Sequence, residues 1–232
     1  MKRLAFLGAL GFLLCACAAP QGGMPENHDP YEATNREIFD FNLKVDRTFL
    51  RPTAERYQST MPDVVRDGIH NVLANLDSPV IFANDLLQCE GSRAWTTARR
   101  AVVNSTLGIG GLVDVGSRMG LESHEEDFGQ TLAVWGAGEG PYIVLPLLGP
   151  SNPRDITGQI ADVALDPTTW VRMKQHVWWM AGRKYLIVLD TRTRNLEAFD
   201  DIERESLDFY ASVRSMYRQH RASEIRNGMA TP

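Results

Sequence analysis

Cysteine is scarce in this chain: Cys15, Cys17 and Cys89 are the only three. With the first two assigned to an N-terminal leader and anchor, Cys89 has no mate, so no internal disulfide is expected. A basic block is also missing. The formal charge is −5, from 24 Lys and Arg against 29 Asp and Glu, and a nucleic-acid backbone would demand clustered cations, so that class of partner is excluded. Beyond residue 16 no stretch reaches the roughly 18 uninterrupted apolar residues of a membrane-crossing helix. Strands of alternating polarity and internal repeats are absent as well. Catalytic patterns are equally thin. No G-x-S-x-G elbow occurs, and His28, His70, His124, His176 and His220 include no i, i+4 pair for a helical zinc site. The one dense cluster, His124-Glu125-Glu126-Asp127, is explained by acidic residues at the positive end of a helix. Asp190, Asp200, Asp201 and Asp208 read as a solvated helical face. No cofactor, metal ion or catalytic residue is expected.

What is present begins at residue 1. Met1-Lys2-Arg3 is a short positive region, and Leu4 to Leu14 is an apolar run of signal-peptide length, too short to span a bilayer. It ends in Leu14-Cys15-Ala16-Cys17, the pattern of a bacterial lipobox, which assigns residues 1–16 to a lipoprotein signal peptide and Cys17 to lipidation. Cys15 would place bulky Leu14 beside the cut, so Cys17 is the better acceptor. Single acyl chains anchor weakly and two or more hold firmly, so a multiply acylated Cys17 is a lasting tether. Residue 18 is Ala rather than Asp, which favours the outer membrane.

Residues 17–28 form the acylated, Gly- and Pro-containing tether. The whole chain is 44% hydrophobic and 23% charged, ordinary for a folded protein. Asp29-Pro30-Tyr31-Glu32 has a cap, a first-turn proline and a dipole-matched acid, and so predicts a helix start with Asp29 as cap. Along that helix Ile38, Phe41, Val45 and Phe49 make one apolar stripe, and Phe39, Leu43 and Leu50 a second. Between them runs a polar line, Asn35, Asn42 and Asp46, where a surface helix ordinarily shows one stripe. Either the line bonds to neighbouring backbone, or it lines a passage.

Residues 60–76 predict an amphipathic helix with Val65, Ile69, Val72, Leu73 and Leu76 on one face. Pro79 predicts the start of another, ending near Gly91. Residues 92–107 set Arg93, Thr96, Thr97, Arg100 and Asn104 opposite Trp95, Ala98 and Val102. The glycine-dense stretch 108–120 lacks both the spacing and the preceding strand of a dinucleotide site, and marks close backbone packing or a hinge. Residues 128–150 hold a short helix, a turn, and an apolar extended run, 142–148, that Pro146 bars from a central strand. A helix follows over 153–165. Trp170, Trp178, Trp179 and Tyr185 crowd residues 167–189, as a membrane-interface belt or as core. From 193 to 220 the chain reads as helix, with Leu196, Phe199, Ile202, Leu207, Tyr210, Val213 and Tyr217 buried. Residues 221–232 read as a flexible tail. The fold class is mainly α, a single domain over 29–220.

Three segments carry a family likeness: DPYEATNREIFDFNLKVDRTFLRP (29–52), NSTLGIGGLVDVG (104–116) and EDFGQTLAVWGAGEGPYIVLPLLGPSNPRD (126–155). Together with the lipobox they resemble the MlaA, or VacJ, family of outer-membrane lipoproteins. The resemblance implies a ring-like arrangement of amphipathic helices embedded in one membrane leaflet, around an amphipathic pore. It implies removal of mislocalised phospholipid from the outer leaflet and transfer to the periplasmic lipid carrier of the Mla pathway, often beside trimeric porins, with no hydrolysis. Asn35, Asp40, Phe41, Asn42 and Asp46 then become candidates for the lipid passage, and Gly108, Gly110 and Gly111 for a hinge or gating loop. The bilayer and phospholipid are the expected partners, and the periplasmic side of the outer membrane the expected location. A scaffolding lipoprotein, and a lipid hydrolase acting through His124, are the competing readings.

Overall fold

The computed structural model describes residues 29–171 and 176–227. The signal peptide, Cys17, the tether through residue 28 and the tail beyond residue 227 lie outside the described residues. The first helix, α1 (Glu32–Val45), runs through a π-helical turn (Asp46–Leu50) into α2 (Arg51–Thr60). Pro52 follows the wide turn at once. A proline can neither donate to residue i−4 nor fit against its carbonyl, and the extra residue of a π turn absorbs both. Asp29 does not cap α1, as its carboxylate turns instead to Asn35, Tyr210 and Arg214.

A long helix, α3 (Asp63–Leu87), follows. Pro79 was expected to begin a new helix and instead sits inside this one. The interruption is local, one missing N–H in 25 residues, and the helix is held on both sides by its neighbours α4 (Gly91–Thr106) and α7 (Pro153–Leu165). After α4 come the glycine loop, the short helices α5 (Val115–Arg118) and α6 (Phe128–Val134), and an antiparallel hairpin of β1 (Ile143–Leu145) with β2 (Gly149–Ser151). Three residues per strand are too few to show alternation in the sequence. Asn152 caps α7, accepting from the Asp155 N–H at 2.8 Å. A 3₁₀ turn (Pro167–Trp170) leads on to α8 (His176–Arg194), α9 (Leu196–Glu205) and α10 (Phe209–Ile225).

The break between α9 and α10 leaves Leu207 fully exposed, against expectation, because Asp208 turns in to cap α10 through the Ala211 N–H. Helix α10 also continues past residue 220: Arg221 is buried and bonds Asp127 and Asp155, which holds its last turn. Two apolar clusters hold the molecule. One joins Phe39, Tyr142, Val144 and Tyr210, with edge-to-face ring pairs at 5.5–6.1 Å. The other joins Ala54, Leu189 and Leu196. Among the described residues no helix is long and apolar enough to cross a membrane.

Candidate functional site

The polar line of α1 is put to structural use. Asn35, 1% exposed, donates to the Tyr142 carbonyl at 3.0 Å and accepts from the Val144 N–H at 2.9 Å. Seven residues on, Asn42 donates to the Leu145 carbonyl at 2.9 Å and accepts from the Leu147 N–H at 2.7 Å. Two turns of helix match the run of the hairpin, so each amide satisfies a donor and an acceptor that a lone two-stranded ribbon would leave open. Asp46 pairs with Arg192 at 2.9 Å. Of the five sequence-predicted passage residues, Asp40 and Phe41 alone are exposed. They stand on the open side of α1.

The polarity of the middle of the molecule is reversed. In α4 the polar side faces inward and the apolar side outward: Thr97 and Asn104 are buried while Trp95 and Val102 are 66% and 63% exposed. The inner side of α3 is polar toward its end too, with Ser78, Asn84 and Asp85 buried, as is Gln88 just beyond it, while Phe82, Leu86 and Leu87 are exposed. Between them the polar groups are matched. Asp85, 0% exposed, accepts from Thr97 at 2.7 Å and lies 3.0 Å from His124 Nε2. Glu126 accepts from Gln88 at 2.8 Å and Arg93 at 2.7 Å, although burial still pushes its carboxyl up. Asn84, Thr131 and Asp162 form a further chain at 2.8–3.0 Å.

A second buried knot ties α10 to α6 and α7. Asp155 accepts from Arg221 at 2.8 Å, Tyr217 at 2.7 Å and Asn152 at 2.8 Å. Burial pushes the Asp155 carboxyl up, and the bonds from Arg221 and Tyr217 outweigh it to hold it low. The knot rests on the absence of side chains at Gly129 and Gly158. A Cβ on Gly158 would stand 2.3 Å from the Gly129 nitrogen, and one on Gly129 2.6 Å from Arg221. Buried ions paired this thoroughly are stable only as a set.

The glycine loop is built rather than slack. Gly111 N–H bonds the Asn104 carbonyl at 2.9 Å, Gly110 N–H that of Ser105 at 3.1 Å, and Val113 N–H that of Gly108 at 2.9 Å. Gly108 has no room for a side chain, with carbonyl oxygens 2.2 and 2.5 Å from where a Cβ would lie. Gly110 has open space but a φ of +69°. Both readings of these glycines, close packing and backbone freedom, therefore apply, at different residues. At the loop's tip Leu107, Ile109 and Leu112 are exposed.

The aromatic segment is not core. Trp170, Val177, Trp178, Trp179, Tyr185 and Leu186 are all exposed, Trp178 to 79%. His124 sits against Asp85 and Thr97, and Asp127 caps α6 through the Gln130 N–H at 2.9 Å, so their cluster serves the fold. Among the described residues no grouping of His, Cys, Asp or Glu could hold a metal ion. Asp190 was expected on a solvated face. It is buried instead, 2.7 Å from His70 and 3.1 Å from Arg194. Sequence reasoning also missed Asp85, Gln88, Asp155 and Arg221. The available signal was the placement of charged and amide residues where Trp and Leu fill the opposite helical face.

A family model described as MlaA lipoprotein matches residues 27–224. A protein of Escherichia coli (strain K12) named "Intermembrane phospholipid transport system lipoprotein MlaA" is 32% identical, with 97% of this chain and 89% of that protein covered. An uncharacterized protein of Rickettsia bellii is 37% identical over 88% of this chain and 79% of its own length. A solved structure presented as "Structural basis for maintenance of bacterial outer membrane lipid asymmetry" superposes with a TM-score of 0.74 at 33% identity, covering 85% of this chain and 98% of that one.

Proposed function

The chain belongs to the MlaA lipoprotein family, and from that premise we propose that it clears mislocalised phospholipid from the outer leaflet of the outer membrane. It works in intermembrane phospholipid transport and so maintains outer-membrane lipid asymmetry. The observation that carries this reading is the reversed polarity. A phospholipid has a charged head and two acyl chains, and a protein that moves it needs apolar surface for lipid beside polar groups held away from it. Helices α3 and α4 provide that arrangement along part of their length, with Asn84, Asp85, Thr97 and Asn104 inside and Trp95, Val102, Phe82 and Leu86 outside.

Among the described residues no helix is long and apolar enough to cross a membrane, and the family membership supports a protein that lies in one leaflet, on the periplasmic side. Amphipathic helices can rest there with apolar faces among acyl chains. Acylated Cys17 adds a permanent tether, and the exposed rings of 170–185 sit at the polar boundary or against a trimeric porin. Asp40 and Phe41 offer an accessible charge and ring to a passing lipid, while Asn35, Asn42 and Asp46 fix the helix that presents them. Gly110 supplies backbone freedom beside the passage. A periplasmic lipid carrier receives the lipid, and no bond is made or broken.

The same exposed aromatics suit a scaffold that docks other envelope proteins. Mild purification separates the two readings. Phospholipid that copurifies stoichiometrically, and moves to acceptor carrier on mixing, supports transport. A preparation that retains protein partners and no phospholipid supports the scaffold. Lipid cleavage that His124→Ala abolishes would make the protein a hydrolase.

A further inference from the structure

Helix α4 and the loop after it hold three arginines and no acid between Gly91 and Val113. Two of the three are matched by carboxylates from elsewhere, Arg93 by Glu126 at 2.7 Å and Arg100 by Asp114 at 3.0 Å. Arg99 is exposed and makes no side-chain hydrogen bond or ion pair to any described residue. At 100° per residue, Trp95, Val102 and Thr106 fall within about 60° of it around the helix, and all four are exposed. Thr106 bonds its hydroxyl back to the Val102 carbonyl at 2.7 Å, which spends its donor within the helix. Apolar side chains continue past both ends of the stripe: Leu86 and Leu87 before α4, and Leu107, Ile109 and Leu112 after it, are exposed.

Exposed apolar surface of this extent marks an interaction face, and the free cation within it narrows the partner. An arginine stem can lie along apolar groups while its head reaches a polar boundary. The guanidinium fork fits two oxygens of a phosphate. A phospholipid leaflet supplies both, acyl chains beside phosphodiesters. A purely apolar protein face would bury the guanidinium unpaired, at high cost. Length then decides orientation. The 16 residues of α4 make a helix of about 24 Å. One leaflet holds half of the roughly 30 Å hydrocarbon core, or about 15 Å. Upright, α4 would carry mid-helix Arg99 into the hydrocarbon or hold one apolar end in water. Lying flat, it keeps Trp95 and both apolar ends at one depth, with Arg99 reaching sideways to the phosphates.

We propose that α4 lies flat in the interface of a phospholipid leaflet and that Arg99 binds a lipid phosphodiester there, enriching anionic phospholipid beside this helix. A zwitterionic lipid brings its own cation to the phosphate, and an anionic one does not. The proposal rests on the transport reading, which sets the protein in lipid, and adds the helix, the residue and the headgroup chemistry.

The test uses the full acylated chain with Cys89→Ser, in nanodiscs of equal phosphatidylglycerol and phosphatidylcholine. A fluorophore is attached at Trp95→Cys, Val102→Cys or Thr106→Cys, one at a time, and lipids brominated at a known carbon quench it. Labels at 95 and 106 should report the same depth, where an upright helix would separate them by about 16 Å. At 102, brominated phosphatidylglycerol should associate about fivefold more strongly than brominated phosphatidylcholine, the effect of one cation at a lipid surface. Arg99→Gln should abolish that preference with an unchanged unfolding midpoint. Arg56→Gln, at an exposed and likewise unpaired arginine among polar neighbours on α2, should keep it. Depths about 16 Å apart, equal quenching by the two lipids, or a preference that survives Arg99→Gln overturns the proposal. Labels that no lipid quenches also overturn it and assign this face to a protein partner. The transport reading is scored separately, by restoration of outer-leaflet asymmetry in cells that lack the protein. If wild type restores asymmetry while the two lipids quench equally, transport stands and the Arg99 contact falls.

Discussion

At the scale of single residues, side chains that look suited to function in the sequence turn out to hold backbone. Asn35 fills both hydrogen-bonding gaps of the hairpin at Tyr142 and Val144. Asn35→Ala should cost roughly 1–3 kcal/mol for each orphaned group, read as a lower thermal midpoint in detergent. Asp40→Asn on the open side should leave that midpoint unchanged. Asp155 accepts from four side chains at once, Arg221, Tyr217, Asn152 and Arg154, and Asp155→Ala should cost about 3–5 kcal/mol by leaving buried Arg154 without its carboxylate, while Arg221 keeps Asp127. Asp114 gives a pH signature. Burial pushes its carboxyl up, but bonds from the Ser117 hydroxyl and N–H, Arg100 and Asn104 prevail and hold it at about 2. A carboxyl held below its unfolded value stabilises the fold above that value, and the gain is lost as pH falls from about 4 toward 2. Acid titration of stability should show this loss, and Asp114→Asn should remove that part of the slope. The polar line of α1 was legible in the sequence. Its purpose was not, because an asparagine that clamps a ribbon and one that lines a passage share the same spacing.

Among the elements, the helices at 153–165 and 91–106 follow the sequence closely: Asn152 caps the first, with Pro153 and Asp155 in its opening turn, and the second separates a polar from an apolar face. The pattern alone does not say which face is inside. In α4 the ordinary assumption, apolar inward, gives the reverse of the structure. The sequence predicts two helices where α3 is one, because the rule against interior proline is local while the packing that holds α3 together comes from α4, α6, α7 and α8. The α9–α10 corner at Leu207 failed for a related reason: a cap by Asp208 outweighs one leucine's burial. The glycine loop separates its two roles by substitution. Gly108→Ala should cost about 3 kcal/mol or more, since backbone oxygens fill the space. Gly110→Ala meets no atoms and bears only the left-handed backbone penalty of about 1 kcal/mol. Gly110→Ala should therefore keep the fold and slow phospholipid clearance. Full clearance with Gly110→Ala would remove the loop from the gate.

For the molecule as a whole, the described residues hold two small apolar clusters, many buried polar groups and many exposed rings, which suits the proposed partial immersion in lipid. Transfer of an exposed tryptophan from water into an apolar boundary is favourable in proportion to area, so on the proposed reading the aromatic segment should contribute to membrane binding apart from an acyl group on Cys17. A Cys17→Ala chain should still float with phospholipid vesicles, and adding Trp178→Asp and Trp179→Asp should weaken that binding roughly tenfold. A Cys17→Ala chain that stays wholly in solution would contradict an embedded apolar surface. The most direct test of transport is the amount of phospholipid accessible in the outer leaflet of cells lacking this protein, with and without a restored copy. Accumulation on loss, reversed by wild type and not by Cys17→Ala, is the predicted result. An unchanged outer leaflet, in cells with no redundant route, would contradict it.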